Sequence, residues 1–291
     1  MDEAASSKFT KYLKKFIKVC ENNNINLSVF FKNLETLKIS YVGDKQLSMP
    51  NAYGEYDPGT NEIKINKKGK KENTIYHEFL HAATKTEDDT HVYVGLCAIN
   101  KKTKSCIGYS INEGLTELLA KHYFKHGESY NREQYYTLML SKIIGQDKMQ
   151  EFYFDGDFKG FVEEFSKYIN QDVVYDFIML LDRYFNSKQI YKKPSDDKDI
   201  IACNSILTEA FTNRILKENL PLDIAQDILM NYIDELTNQT FTDLNTGQQQ
   251  VIPGPSLAVI KHSFDRMQIE YIDNGSSIDT TPHFNKELIK N

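Results

Sequence analysis

Residues 74 to 85 (TIYHEFLHAATK) constrain the fold more tightly than any other stretch of this chain. Ile75, Tyr76, Phe79, Leu80, Ala82 and Ala83 would put apolar side chains on nearly every side of a helix, and such a helix belongs inside a domain. The same helix carries His77, Glu78 and His81, and polar groups taken out of water are costly unless something satisfies them. His77 and His81 are four residues apart, so on a helix they point the same way. They can therefore offer two imidazole nitrogens to one metal ion. Glu78, one position beyond the first histidine, can reach a water at that ion without binding the ion itself. Neutral imidazoles and a carboxylate suit Zn²⁺, which keeps one position open when it is catalytic. Zinc brings the pKa of its water toward neutral, and Glu78 is placed to take the proton. The plainer alternative is a pair of hydrogen-bonded core histidines with a glutamate on the helix face.

A catalytic zinc site needs a third protein ligand. Ile111-Asn112-Glu113-Gly114-Leu115-Thr116-Glu117 supplies one candidate on a second helix, expected from about 111 to 125 and ended by Gly127. Glu113 and Glu117 again share a face. Glu113 is the expected ligand, and Glu117 can accept the remaining N–H of a ligating histidine and fix its tautomer. Two other readings exist: Ser110 with Glu113 forms a capping box, and Glu117 with Lys121 forms an i,i+4 ion pair.

The order of elements predicts an α+β fold. An amphipathic helix is expected over 6–21, a strand over 36–42, and two short strands within 49–66 around the turn Asp57-Pro58-Gly59-Thr60. The zinc helix follows. Residues 91–99 and 105–109 form a hairpin about Asn100–Thr103, and the Glu113 helix comes next. Beyond 130 the pattern is helical, near 132–144, 158–168, 172–186, 202–217, 222–236 and 256–268. A polar loop at 192–199 and a loosely held tail from 273 complete the chain. The expected division is a mixed α/β lobe over 1–127 and a helical lobe over 128–291 that closes the cleft.

Composition narrows the function classes. The 291 residues carry a net charge of −6 with no long basic stripe, which argues against nucleic acid as the partner. No apolar run reaches the roughly 18 residues of a membrane span, and the N-terminus lacks the apolar core of a signal peptide. The expectation is a cytoplasmic protein with no membrane partner. Cys20, Cys97, Cys106 and Cys203 contain no CxxC pair and read as packed thiols rather than zinc ligands, with one bridge open between Cys97 and Cys106 across the hairpin.

H-E-x-x-H on one helix and N-E-x-x-x-[DE] on the next resembles the gluzincins, the thermolysin-like zinc peptidases. Asn51-Ala52-Tyr53 is similar to the Asn-Ala-aromatic edge strand that pairs with substrate in that family. Ile107–Glu117 is similar to the NEG-x-TE segment of uncharacterised bacterial zincin-like proteins. The resemblance covers about residues 49 to 125. It implies a two-lobed zincin-like fold, a Zn²⁺ cofactor on His77, His81 and Glu113, and Glu117 behind a ligand. It also implies a peptide or protein substrate lying along Asn51, Ala52 and Tyr53, cleaved by a zinc-bound water that Glu78 activates. A Tyr or His donor for the oxyanion is implied as well. Tyr109 is the first choice, with His262, His122, Tyr123 and His126 as others. Three departures stand out. His81 and Glu113 are 32 positions apart (113 − 81), more than in the thermolysin type. Glu117 replaces the usual Asp, and Glu87 stands where a metzincin would have its third histidine. Two rival functions remain: a zinc hydrolase of a non-peptide amide, and a zincin fold used as a binding or regulatory module.

Overall fold

The computed structural model describes residues 3–48, 52–68, 72–125, 130–189, 197–242 and 249–269. Together they form a mixed α+β protein, with small sheets in the N-terminal part and helices beyond. The chain divides into two compact units, residues 1–164 and 165–291.

The first unit opens with helices α1 (Glu3–Asn22) and α2 (Ser28–Leu34), followed by strand β1 (Lys38–Val42). Strands β2 (Gly54–Asp57) and β3 (Glu62–Asn66) come next, joined by the expected turn at Pro58. They make a three-stranded sheet in the order β1-β3-β2, with β1 parallel and β2 antiparallel to β3. β2 is thus an edge. The buried helix α3 (Glu72–Ala83) follows. A four-stranded antiparallel sheet then forms from β4 (Lys85–Glu87), β5 (His91–Val94), β6 (Cys97–Asn100) and β7 (Cys106–Ile107). Helices α4 (Tyr109–Phe124), α5 (Asn131–Ile144), α6 (Gln146–Asp155) and α7 (Phe158–Phe165) complete the run.

Aromatic packing fixes α3 from behind. Phe79 lies 5.2 Å from Phe16 and 5.5 Å from Phe9, both on α1, and Tyr76 stacks on Phe124 of α4 at 4.6 Å. Tyr76, Phe79 and Leu80 are wholly buried. Each large ring removed from water contributes on the order of 2–3 kcal/mol. So held, the helix sets His77 and His81 against Glu113 of α4 and Glu78 against Gly54 of β2.

In the second unit, α9 (Asp197–Glu218) packs against α8 (Gln171–Gln189), α10 (Leu222–Thr237) and α11 (Leu257–Arg266). Ile200, Leu207, Ala210 and Ile215 of α9 are buried, and Phe211 stacks on Tyr232 of α10 at 3.8 Å. A short antiparallel pair, β8 (Thr240–Thr242) and β9 (Gln249–Val251), precedes α11. No helix among the described residues is long and apolar enough to cross a membrane.

Several elements differ from expectation. The strand read over 91–99 is two strands, β5 and β6, because Gly95 adopts φ +53° and turns the chain back. Helices α2 and α6 and strand β4 had no clear periodic signal. The first compact unit reaches residue 164, and within it α5 packs closely on α4 at Gly114. Helix α4 ends at Phe124 with Lys125 at φ +61°, and Gly127 lies outside the described residues. The 192–196 part of the polar loop and the tail from 273 also lie outside them, while 197–199 begin α9. Cys97 and Cys106 form a disulfide between β6 and β7, so the expectation of four packed thiols holds only for the buried Cys20 and Cys203.

Candidate metal centre

His77 and His81 come from successive turns of α3, and Glu113 comes from the second turn of α4. Their ligand atoms converge. The two Nε2 atoms are 3.0 Å apart, His77 Nε2 is 3.2 Å from Glu113 Oε2, and His81 Nε2 is 3.4 Å from Glu113 Oε1. A tetrahedral ion bound at about 2.0–2.1 Å sets its ligands about 3.3–3.4 Å apart, roughly 1.63 bond lengths. The three observed separations, two of them to different oxygens of the Glu113 carboxylate, lie within a few tenths of an ångström of that. These three side chains can hold a metal ion.

The protonation of His77 supports this reading. Its Nδ1 lies 2.9 Å from Glu117 Oε2, which can only accept, so Nδ1 carries a proton. In a neutral ring, Nε2 then presents a lone pair. That lone pair faces a second imidazole nitrogen and a carboxylate oxygen at 3.0 and 3.2 Å. A proton or a metal ion must stand between these atoms. Without metal it is a proton: burial would lower the His77 pKa, but hydrogen bonds to Glu113 and Glu117 outweigh it and hold the pKa well above the usual value. Burial would raise Glu113, but the adjacent histidines pull it below the usual carboxylate range. A metal ion would therefore displace a proton on binding, so affinity for it should fall in acid.

Glu78 sits beside these groups, 5% exposed. Burial and the charge of Glu113 raise its pKa, against the opposing pull of the two histidines. A raised carboxyl pKa suits a group that must take up a proton and release it. Glu117 is equally buried, and its carboxylate is the partner of His77 Nδ1. Asn112 Oδ1 accepts from the Leu96 amide at 3.0 Å, tying the start of α4 to the β5–β6 turn. Its Nδ2 lies 3.4 Å from His81 Nδ1, too long to select the tautomer of that ring.

Tyr109 and Tyr130 form a pair that periodicity could only half reveal. Tyr109 is the first residue of α4, and Tyr130 precedes α5. The two hydroxyls interact with each other. Burial first, and the Glu113 charge second, push both pKa values up, so both stay protonated donors. The Tyr130 ring also stacks on His77, with centroids 6.0 Å apart and planes 16° from parallel. Tyr130 adopts φ +54°, uncommon for an aromatic residue and a conformation that costs energy. Its only sequence signal was a tyrosine ahead of a helix, one of 18 in the chain. Glu133, three residues on, was also missed. It is buried, and burial followed by the Glu113 charge raises its pKa to about 7.

Comparisons with protein-family models, curated proteins and solved structures found no match.

The remaining candidates fall as follows. Ala52 and Tyr53 lie just before β2, where the Tyr53 carbonyl accepts from the Asn66 amide, and Tyr53 is 51% exposed. Asn51 lies outside the described residues. At the start of β2, Gly54 lies directly against the centre. A Cβ there would fall 2.5 Å from Thr74 Cγ2 and 3.2 Å from Glu78 Oε1. Only glycine lets the strand approach Glu78 so closely. His122 is exposed on α4, and the Tyr123 hydroxyl donates to Gln150 at 2.9 Å. His262 is exposed on α11 of the second unit, and His126 is outside the described residues.

Proposed function

We propose that the chain is a zinc-dependent metallopeptidase of gluzincin type. The observation that carries this is the meeting of His77 Nε2, His81 Nε2 and the Glu113 carboxylate at 3.0–3.4 Å beside a buried glutamate that is not part of the triangle. Two imidazoles and one carboxylate form a donor set that zinc takes in hydrolases while keeping a position open. Zinc would act there as a Lewis acid toward a carbonyl and toward water.

The protein's own groups account for the rest. Glu78, with its raised pKa, accepts a proton from the attacking water and delivers it to the leaving amine. Glu117 holds the His77 Nδ1 proton and so keeps Nε2 turned to the triangle. Tyr109, held neutral and anchored by Tyr130, donates to the developing oxyanion. An extended peptide adds to the outer edge of β2, and the close approach of Gly54 to Glu78 sets its carbonyl beside the base. That edge favours a peptide over a small amide in a closed pocket.

The test combines metal analysis with cleavage of a broad peptide mixture. Purified protein should carry about one zinc per chain. Glu78→Gln should keep the zinc and lose turnover by about 10²–10⁴-fold, the usual worth of a general base. Zinc-free protein after purification without chelators would defeat the proposal, as would undiminished cleavage by the variant. Full zinc with no cleavage by the unmodified chain would favour a binding module.

A further inference from the structure

Helix α5 brings a further carboxyl to the candidate metal centre. The backbone of Glu133 presses on Gly114 of α4, next to Glu113, where a Cβ would fall 2.5 Å from the Glu133 carbonyl carbon. Glu133 is 7% exposed. Its charge and that of Glu113 act on each other, and it acts on Tyr109 more strongly than Glu78 does. The carboxyl thus faces the space between Glu113 and the Tyr109 hydroxyl.

A glutamate taken out of water is ordinarily paired with a cation or held by several donors. Glu164, equally buried on α7, shows the ordinary case: it takes the Lys148 ammonium at 2.6 Å. At the metal centre, Glu113 meets both histidines and Glu117 meets His77 Nδ1. Glu133 differs from all of these. Among the described residues its carboxyl accepts only from its own backbone amide, and the pull of Arg132 is weaker than the push of Glu113. A carboxylate offers about four acceptor sites, so most of its bonding capacity is unmet. It is not one of the three metal-holding side chains either. A buried acceptor left open beside a hydrolytic centre is suited to a donor that arrives with the substrate.

We propose, resting on the peptidase reading, that Glu133 receives a primary ammonium group of the peptide substrate. An ammonium brings three N–H donors and the opposite charge, the two things this carboxyl lacks. Tyr109 is the donor to the oxyanion, so the ammonium lies on the oxyanion side of the scissile bond. A peptide's own amino terminus and a lysine side chain both carry such a group.

The full chain, freed of metal by chelator, should be titrated calorimetrically at neutral pH with three probes, so that binding is read without turnover. These are alanyl-phenylalanine amide, its N-acetyl form, and N-acetyl-lysyl-phenylalanine amide. At least one ammonium-bearing peptide should bind about tenfold or more tighter than the acetylated alanyl peptide, the worth of a charge-assisted hydrogen bond. A gain by the alanyl peptide identifies the amino terminus, and a gain by the lysyl peptide identifies the side chain. Glu133→Gln should abolish the margin, and in zinc-loaded protein it should raise KM for the favoured peptide with kcat little changed. The three-probe comparison on the unmodified chain does not depend on the variant folding. Zinc-free protein on purification would defeat the metal reading and leave this binding result standing. No binding, equal binding by all three probes, or a margin that survives Glu133→Gln would overturn the proposal. Zinc-dependent cleavage with no ammonium preference would overturn it alone and spare the peptidase reading.

Discussion

Gly114→Ala offers a sharp test of how the candidate site is held. Gly114 follows Glu113 on α4, where α5 crosses it. A Cβ there would lie 2.5 Å from the Glu133 carbonyl carbon, and closer still to its oxygen and to Thr137 Oγ1. Normal carbon contacts need roughly 3.5 Å or more, so α5 must retreat by about 1 Å. Backbone is not the far end of a flexible side chain and does not swing aside. Overpacking of this kind costs about 1–3 kcal/mol. The retreat also strains the bond from Thr137 Oγ1 to the Ile111 carbonyl of α4. Against this stands the gain from replacing glycine with alanine inside a helix, at most about 1 kcal/mol. The cost wins, for a net loss of about 1–2 kcal/mol. Urea unfolding in chelator, followed by tyrosine fluorescence because the chain has no tryptophan, measures it. Gly43→Ala is the control. Its nearest atom is Gln46 Oε1 at 3.9 Å and its φ is −87°, so its stability should change by no more than about 0.5 kcal/mol. A Gly114→Ala protein as stable as the unmodified chain would refute the close crossing of α4 and α5.

Two other outcomes follow from the same neighbourhood. Removing the acceptor behind His77 by Glu117→Ala should weaken zinc binding about 10–100-fold in a chelator competition, and an unchanged affinity would show that the Nδ1 contact does not orient the ring. Glu133 carries a folded pKa of about 7 against an ordinary 4.5, so the folded state holds its proton more tightly than the unfolded state. Its favourable contribution is complete below about pH 4.5 and disappears as pH rises to 7. The difference of 7 − 4.5 units corresponds to at most about 3 kcal/mol. Metal-free Glu133→Gln should therefore be more stable than the unmodified chain at pH 8 and similar to it at pH 4.5; parallel stability–pH curves for the two would refute this.

The chemistry of α3 was legible because it broke a local rule. Three polar side chains in a helix apolar all round demand partners, and α4 supplies them for His77 and His81. Glu113 and Glu117 were legible through their four-residue spacing. Tyr130 was not, since its importance lies in a left-handed backbone conformation and a ring stacked on a histidine 53 positions earlier (130 − 77). Glu133 stands in the first turn of α5, and nothing in the sequence marks its burial. Helix α6 was hidden because its short run, QDKMQEFYFD, alternates weakly, and Gly95 concealed the split between β5 and β6. The expected boundary near 127 rested on a change from mixed to helical pattern. Whether α5 to α7 group with the elements before or after them depends on contacts such as Gly114 on Glu133, which periodicity does not encode.

The sheet β4 to β7 lies entirely between His81 and Glu113 in sequence. Any ion gripping those two side chains would tie residues 81–113 into a covalent-like ring with the whole sheet threaded inside it, and the Cys97–Cys106 bridge would form a smaller ring within the larger. By chain-entropy reasoning, a ring of about 32 links withdraws about 3–4 kcal/mol of freedom from the unfolded chain. The ion would then be a fastener as well as a reagent, and the sheet would be the part of the molecule that gains most rigidity from its arrival.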